Sequence, residues 1–447
     1  MHNSDPVRIS GPNALSAVEA ARQIAAGSLS SEALVTACID RILERDNLVR
    51  AWVCVDTEGA QRAARACDAS AATGPLHGVP VAVKDVIDVH GLPTEMGSPI
   101  YAGYHPLADA SCVALLRAAG AVILGKTVTA EFAGIAAGPT RNPLSPTRTP
   151  GGSSSGSAAA VADYMVPIAF GTQTGGSILR PASYCGVLGF KPSYNTVNRA
   201  GLKFAAESFD TIGHLARSVE DIDLVWRVLT GQPQRALPDL QSPPRLALFL
   251  THYWHRASPE TVAAIASVTT RLAADGIIVE DIAVPDGFEI LSDARRTINN
   301  YERARAMSWE WHNRRDEISP QLSQVIADGS IIKFEDYVEA KKLVEHWRHW
   351  FAAETHSYDA VLTPAADGEA LEGIESTGSS AFQEVWTMLH VPAISLPLAQ
   401  GPNGLPVGVQ FVGKLHRDNE LLALSKWLMD RLSVSETIPN LKHAYTQ

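Results

Sequence analysis

The sequence predicts an α/β fold built around a mixed or mostly parallel β-sheet. Two observations carry that reading. Between residues 79 and 170, short apolar runs alternate with Ala-rich segments of helical spacing, and strand character returns towards the C-terminus. Alternation of strand and helix is the pattern of a sheet covered by crossover helices. The 447 residues are 46% hydrophobic and 19% charged, a mix that buries a large core and excludes disorder for most of the chain.

Taken in order, the first 70 residues read as helices. Leu15 to Ala26 has helical apolar spacing and stops at Gly27; a second pattern runs from Ser31 to about Arg45 behind Ser30 as N-cap. Val79–Val83 reads as a strand, Ser111–Ala119 as a helix closed by Gly120, and Ala121–Leu124 as the next strand. A helix starts over Ser157–Ala162, and Val166–Phe170 is a strand with Pro167 near its start. Pro233, Pro238, Pro243 and Pro244 mark a connection between two halves. Residues 250–380 look mainly helical and hold Trp309, Trp311, Trp347 and Trp350, which read first as packing residues and second as a wall of the substrate entrance. Ala360–Leu362, Ala393–Leu396 and Val407–Val412 are strands, followed by a helix from about Asn419 to Leu432.

Lys and Arg number 37 against 48 Asp and Glu, a net charge of −11 with no local basic run. Affinity for phosphate backbones needs concentrated positive charge, so nucleic acid and anionic membrane surfaces are excluded as partners. Cys38, Cys54, Cys67, Cys112 and Cys185 have no CxxC spacing, which argues against a disulfide framework or structural zinc and for a reducing compartment. The N-terminal MHNSDPVRIS lacks the basic-then-apolar pattern of a leader, and no stretch approaches the about 18 apolar residues of a membrane span. The HxxH pairs His252/His255 and His346/His349 have no HExxH context or third ligand. The expectation is a cytoplasmic protein acting on a small molecule, with no metal and no cofactor.

Two motif matches mislead. Gly120-AVIL-Gly125-Lys126-Thr127 fits a phosphate-binding loop, but its intervening residues are themselves a β-prone run where exposed backbone N–H groups are required. Gly152-Ser153-Ser154-Ser155-Gly156 fits the GxSxG nucleophile elbow, which needs a strand before it. Pro143, Pro146 and Pro150 deny that strand.

Three segments form a more specific pattern. Gly78-Val-Pro-Val-Ala-Val-Lys84-Asp85 ends an apolar strand on a lysine, and Gly151-Gly-Ser153-Ser154-Ser155-Gly-Ser157 precedes an Ala-rich helix. Gly171-Thr-Gln-Thr174-Gly175-Gly176-Ser177 directly follows a strand. Each alone reads as an ordinary strand end or turn. Together with RTPGGSSSGSAAAVA (148–162), RPASYCGVLGFKPS (180–193) and GLPVGVQFVG (404–413), they resemble the amidase signature family over most of the chain.

That resemblance implies a central mixed sheet flanked by helices on both faces, in a single domain over 1–447. Within it, 1–70 would form an N-terminal helical layer and 71–240 the catalytic core. Residues 245–380 would be a mainly helical variable region over the active site, and 381–447 the C-terminal part of the core. It also implies a Ser–cis-Ser–Lys triad: Ser177 the nucleophile, Ser153 the serine with a cis peptide bond, Lys84 the base.

The residue types suit that work. A serine hydroxyl needs a neighbouring base to become nucleophilic. Lysine is a base only when neutral, and burial beside Val81, Ala82 and Val83 lowers its pKa from about 10.4. The Ser153 hydroxyl both donates and accepts, so it can relay a proton. Gly175 and Gly176 leave the backbone N–H groups of Thr174, Gly175, Gly176 and Ser177 free to hold an oxyanion, each such donor contributing about 3–4 kcal/mol. Ser154 and Ser155 are candidates for hydrogen bonds that orient Lys84 and Ser153. Phe132, Trp386 and His390 are candidates for the substrate pocket.

Three positions depart from the family pattern: Gln173 where Asp is frequent, Leu179 where an arginine is usual (Arg180 stands one place later), and His390 where glycine is common. The reading is a stand-alone amidohydrolase, monomer or homodimer, cleaving a small amide, ester or carbamate through an acyl-enzyme. The alternative is an A-subunit-like glutamine amidohydrolase in a tRNA amidotransferase assembly. The rival from another class is a nucleotide-binding module on 120–127.

Overall fold

The computed structural model describes residues 11–432; residues 1–10 and 433–447, and with them the leader-peptide reading, lie outside it. One sheet holds eleven strands: β1 Trp52–Val55, β2 Pro80–Lys84, β3 Val122–Thr127, β4 Ile168–Gln173, β5 Leu188–Lys191, β6 Thr211–Ala216, β7 Leu246–Leu248, β8 Val279–Asp281, β9 Ala360–Pro364, β10 Ala393–Gln400 and β11 Pro406–Val412. Their order is β1-β3-β2-β4-β6-β5-β10-β11-β9-β7-β8. Strand β2 runs parallel to β3 and β4, and β7 parallel to β8 and β9; the other neighbours are antiparallel, so the sheet is mixed.

Fourteen α-helices accompany the sheet among the described residues: α1 Ala17–Ala25, α2 Ser31–Val49, α3 Thr57–Asp68, α4 Ser111–Ala118, α5 Ser155–Ala162, α6 Leu179–Cys185, α7 Val219–Thr230, α8 Pro259–Ala274, α9 Ile290–Ala306, α10 Ser308–Asn313, α11 Pro320–Ser330, α12 Phe334–Glu354, α13 Ala381–Met388 and α14 Asp418–Leu432. Strand alternation distributes them over two faces. Val81 and Val83 of β2 pack with Val113 and Leu116 of α4, whereas Ala82 packs with Ala158 and Ala159 of α5 and with residues of α2 and α3. Helix α5 is wholly buried, and its small side chains let it lie close against the sheet. At Gly156 a Cβ would stand 2.1 Å from the Ala51 carbonyl oxygen, so only glycine fits there. No helix among the described residues is long and apolar enough to cross a membrane.

Ser30 caps α2 as expected, its side chain accepting from the Ala33 N–H at 3.0 Å, but α2 continues to Val49. The first 70 residues are not helices alone: β1 lies between α2 and α3, four residues of which one is buried and three are half-buried, too few to show a period. Strands β7 and β8 sit inside or beside the stretch read as mainly helical. Strand β6 went unread because both its faces are covered and it carries a histidine. His214 is fully buried between Phe170 and Phe190, its Nε2 2.9 Å from the Ile222 carbonyl, and burial lowers its pKa to about 4.

The phosphate-loop match dissolves in β3, which runs through Gly125, Lys126 and Thr127. Lys126 is fully buried with its Nζ 2.9 Å from Asp85 Oδ1 and 2.7 Å from Thr94 Oγ1. Replacing Lys126 by Met strands the Asp85 carboxylate in the core. Urea unfolding is expected to show a loss of about 3–5 kcal/mol, the usual cost of breaking a buried pair from one side. ATP with magnesium is expected to leave the melting temperature of the wild type unchanged.

Candidate active site

Strands β2 and β4 are parallel neighbours, so their C-terminal ends open on the same edge of the sheet. Lys84 is the last residue of β2 and follows Val83, which places it on the α5 side. It is fully buried. Its Nζ lies 2.7 Å from Ser153 Oγ and 2.8 Å from Thr172 Oγ1 on β4. Burial drives its pKa well below the usual lysine value; Asp210 pulls the other way, while the buried guanidiniums of Arg180 and Arg303 push it further down. No carboxylate among the described residues forms an ion pair with Lys84, so the neutral amine is the form this site favours.

Ser153 sits just before α5, and the Gly152–Ser153 peptide bond is cis. Gly151 takes φ 77°, in the left-handed region, against Pro181, and a Cβ on Gly152 would stand 2.6 Å from Thr377 Cγ2. These contacts account for the two glycines ahead of the serine. The Gly152 carbonyl accepts from Arg180 Nη2 at 2.5 Å, and the Ser153 carbonyl accepts from the Ala130 N–H at 3.1 Å.

Ser177 joins this group through its main chain, its carbonyl accepting from the Ser154 N–H at 3.2 Å. It is 9% exposed, and its hydroxyl has no hydrogen-bond partner among the described residues. The loop before it is framed from outside. Gln173 Oε1 accepts from the N–H groups of Ile178 at 2.9 Å and Leu179 at 3.1 Å. Gln173 Nε2 donates to Thr387 Oγ1 at 3.1 Å, and that hydroxyl donates to the Gly175 carbonyl at 2.8 Å. The Thr174 hydroxyl donates to Asp210, which also accepts from the Ala205 and Ala206 N–H groups. No acceptor among the described residues takes the N–H groups of Gly175, Gly176 and Ser177.

The other candidates fall in different places. Ser154 reaches Lys84 only indirectly, its hydroxyl bonding the Thr172 N–H and carbonyl at 3.3 Å each. Ser155 turns away to the Val128 carbonyl at 3.3 Å, because it opens α5 and faces β3. Phe132 lies two residues from the Ala130 contact to Ser153; it is buried at φ 45°, with its carbonyl accepting from Arg303 at 2.7 Å. Trp386 is not on a pocket wall: it is fully buried in the core against Phe249 and Phe351, with its Nε1 donating to Phe382. His390 lines a cavity of about 190 Å³ with Tyr194 and Arg348, and that lining includes none of Lys84, Ser153 and Ser177. It takes φ 64°, which explains a glycine preference at this position. Burial and Arg348 lower its pKa to about 3.

Trp347 and Trp350 pack with Phe288 as expected, whereas Trp309 is 55% exposed beside Tyr101. His252 and His255 bond Ser292 and a main-chain carbonyl, and no metal-holding group of three appears among the described residues. Sequence reasoning passes over Thr172, Asp210, Arg180 and Arg303 as parts of the site. Thr172 and Arg180 flank the Ser177 motif and carried a signal. Asp210 and Arg303 carried none, since only folding brings them near Lys84.

Comparison with known proteins places the chain and its fold among amidases. A family model described as Amidase matches residues 33–422. The A subunit of glutamyl-tRNA(Gln) amidotransferase from Lachnospira eligens is 31% identical, over 91% of this chain and 96% of the relative. A solved amidase is 30% identical with a TM-score of 0.85, over 94% of this chain and 100% of its own. Peptide amidase from Stenotrophomonas maltophilia is 27% identical with a TM-score of 0.80, over 94% and 97% of the two chains. Fold and relatives together define an enzyme that hydrolyses carbon–nitrogen bonds. The chain belongs to the amidase signature family.

Gln173 is the frame of the loop that carries Ser177. Gln173→Leu is expected to lower kcat by about 10²-fold, the scale of a small misplacement at a reacting centre, with KM little changed. Gln173→Glu keeps an acceptor for both N–H groups and is expected to recover most of that loss.

Proposed function

We propose that Lys84, Ser153 and Ser177 hydrolyse a small amide through an acyl-enzyme. The observation that carries this reading is a fully buried lysine, without a carboxylate partner, 2.7 Å from the hydroxyl of Ser153. Neutral Lys84 takes the Ser153 proton while Ser153 takes that of Ser177. Ser177 Oγ attacks the carbonyl carbon, and the N–H groups of residues 174–177 hold the oxyanion. The amine leaves with the proton returned through Ser153. Water then cleaves the acyl-enzyme by the same relay.

Two sources of the amide fit this chemistry. The amidotransferase relative, an A subunit matched nearly end to end, favours glutamine hydrolysis in an assembly with a second protein, and it supports this reading more strongly than the stand-alone one. A stand-alone cytoplasmic amidase, monomeric or homodimeric, is the second reading. The solved amidases favour it, with the departures at Gln173, Leu179 and His390. Ammonia release from glutamine, aliphatic amides, anilides and carbamates by the purified chain separates them. Turnover by the chain alone supports the stand-alone enzyme; glutaminase activity that depends on a co-purifying protein supports the assembly.

Lys84→Ala is expected to lower kcat/KM by about 10²–10⁴-fold, and a variant with full activity overturns the assignment. In the wild type, kcat/KM is expected to rise with pH as Lys84 loses its proton. The inflection should lie well below 10.5, because burial and two guanidiniums depress this pKa. A serine-reactive probe followed by peptide mapping is expected to mark Ser177 and not Ser154.

A further inference from the structure

We propose that the substrate carries a carboxylate and that Arg295, on α9, receives it. This rests on the site assignment above and names the substrate class within it. Arg295 lies against the nucleophile loop: a Cβ built on Gly175 would stand 2.7 Å from its Nη2. Its one ion pair among the described residues is a loose one, Nη1 lying 3.3 Å from Glu384 Oε2. Glu384 already accepts from the Tyr253 hydroxyl at 2.5 Å and the Ser380 hydroxyl at 2.8 Å.

Two further guanidiniums feel the charge of Arg295, namely Arg180 and Arg303. Both are sealed in the core at 5% and 4% exposure, and both donate to neutral groups: Arg180 to the Gly152 carbonyl and Thr377, Arg303 to the Phe132 carbonyl. The Nε–H of all three arginines is buried without an acceptor among the described residues. The three guanidiniums lie within electrostatic reach of three carboxylates, Asp210, Glu384 and Glu131, of which only Glu384 pairs with Arg295. Arg295 itself donates no hydrogen bond among the described residues and holds only the loose pair with Glu384, so its guanidinium keeps donors for an anion brought by the substrate.

Exposure decides which arginine meets it. Arg180 and Arg303 are covered, whereas the Arg295 side chain is 21% exposed. A planar guanidinium takes a carboxylate through two parallel hydrogen bonds, which also orients the ligand. The chemical class is a short amide with a carboxylate a few bonds from the reacting carbonyl. Glutamine and the monoamides of small dicarboxylic acids both meet that description.

The test compares succinamate with isocaproamide, in which an isopropyl group replaces the carboxylate. The wild type is expected to prefer succinamate in kcat/KM by about 30-fold, which is about 2 kcal/mol at 1.4 kcal/mol per tenfold. Arg295→Gln should bring the two near parity, and Arg295→Lys should retain part of the preference. A second measurement needs no turnover. Succinate is titrated calorimetrically into Ser177→Ala protein, with and without Arg295→Gln, and the affinity is expected to fall by a similar factor. Equal turnover of the two amides, a preference surviving in Arg295→Gln, or no succinate binding overturns the proposal. Persistent hydrolysis by Ser177→Ala would instead remove the nucleophile assignment, leaving the titration to decide on Arg295. Should Arg295→Gln fail to fold, the wild-type preference and Arg295→Lys decide.

Discussion

Lys84 stands wholly out of water at the end of a central strand, and the rest of the site answers to that placement. An ammonium group in such surroundings needs a carboxylate or a water shell, and Lys84 has neither a paired carboxylate nor exposure. Ser153 and Thr172 meet its Nζ with hydroxyls, which suit an amine as well as an ammonium. The buried Arg180 serves twice, holding the Gly152 carbonyl beside the cis bond and raising the cost of a second positive charge nearby.

Two lysines end up buried on adjacent parallel strands with opposite fates. The β2–β3 register sets Lys126 opposite Val83 and Lys84 opposite Thr127. Asp85 follows Lys84 in the chain, yet its carboxylate goes to Lys126. Alternation along the chain therefore turns the nearest anion away from Lys84, to the face shared by Val83 and Lys126, and commits it to a structural pair. A lysine-bearing motif that looked like a phosphate loop thus explains why its neighbour remains unpaired.

The segments most legible in the sequence were those whose residues act locally. Lys84, Ser153 and Ser177 each lie in a short glycine- or strand-bounded motif, and Gly151 and Gly152 announce an unusual backbone. Gln173, Leu179 and His390 were visible as departures, but their meaning was not. Gln173 presents both an acceptor and a donor to its neighbours, and His390 tolerates φ 64° under a Tyr194 ring stacked 3.8 Å away. Trp386 misled because an aromatic residue near a catalytic segment fits a pocket wall and a core equally well in one dimension. Fully buried strands such as β6 misled because a two-sided core erases the alternation on which strand recognition depends.

Residue type and spacing by themselves determined the α/β class and what each candidate side chain can do chemically, while the roles within the triad came from the resemblance to a family. The first two follow from periodicity and from what a hydroxyl, an amine or a glycine can do over a few residues of chain. The tertiary structure alone decided that Asp210 lies within electrostatic reach of Lys84, that Arg303 and Arg295 reach in from α9, and which side chains keep contact with water. Charge balance and dielectric are sums over everything that folding brings within a few ångströms, and linear spacing carries no such distance.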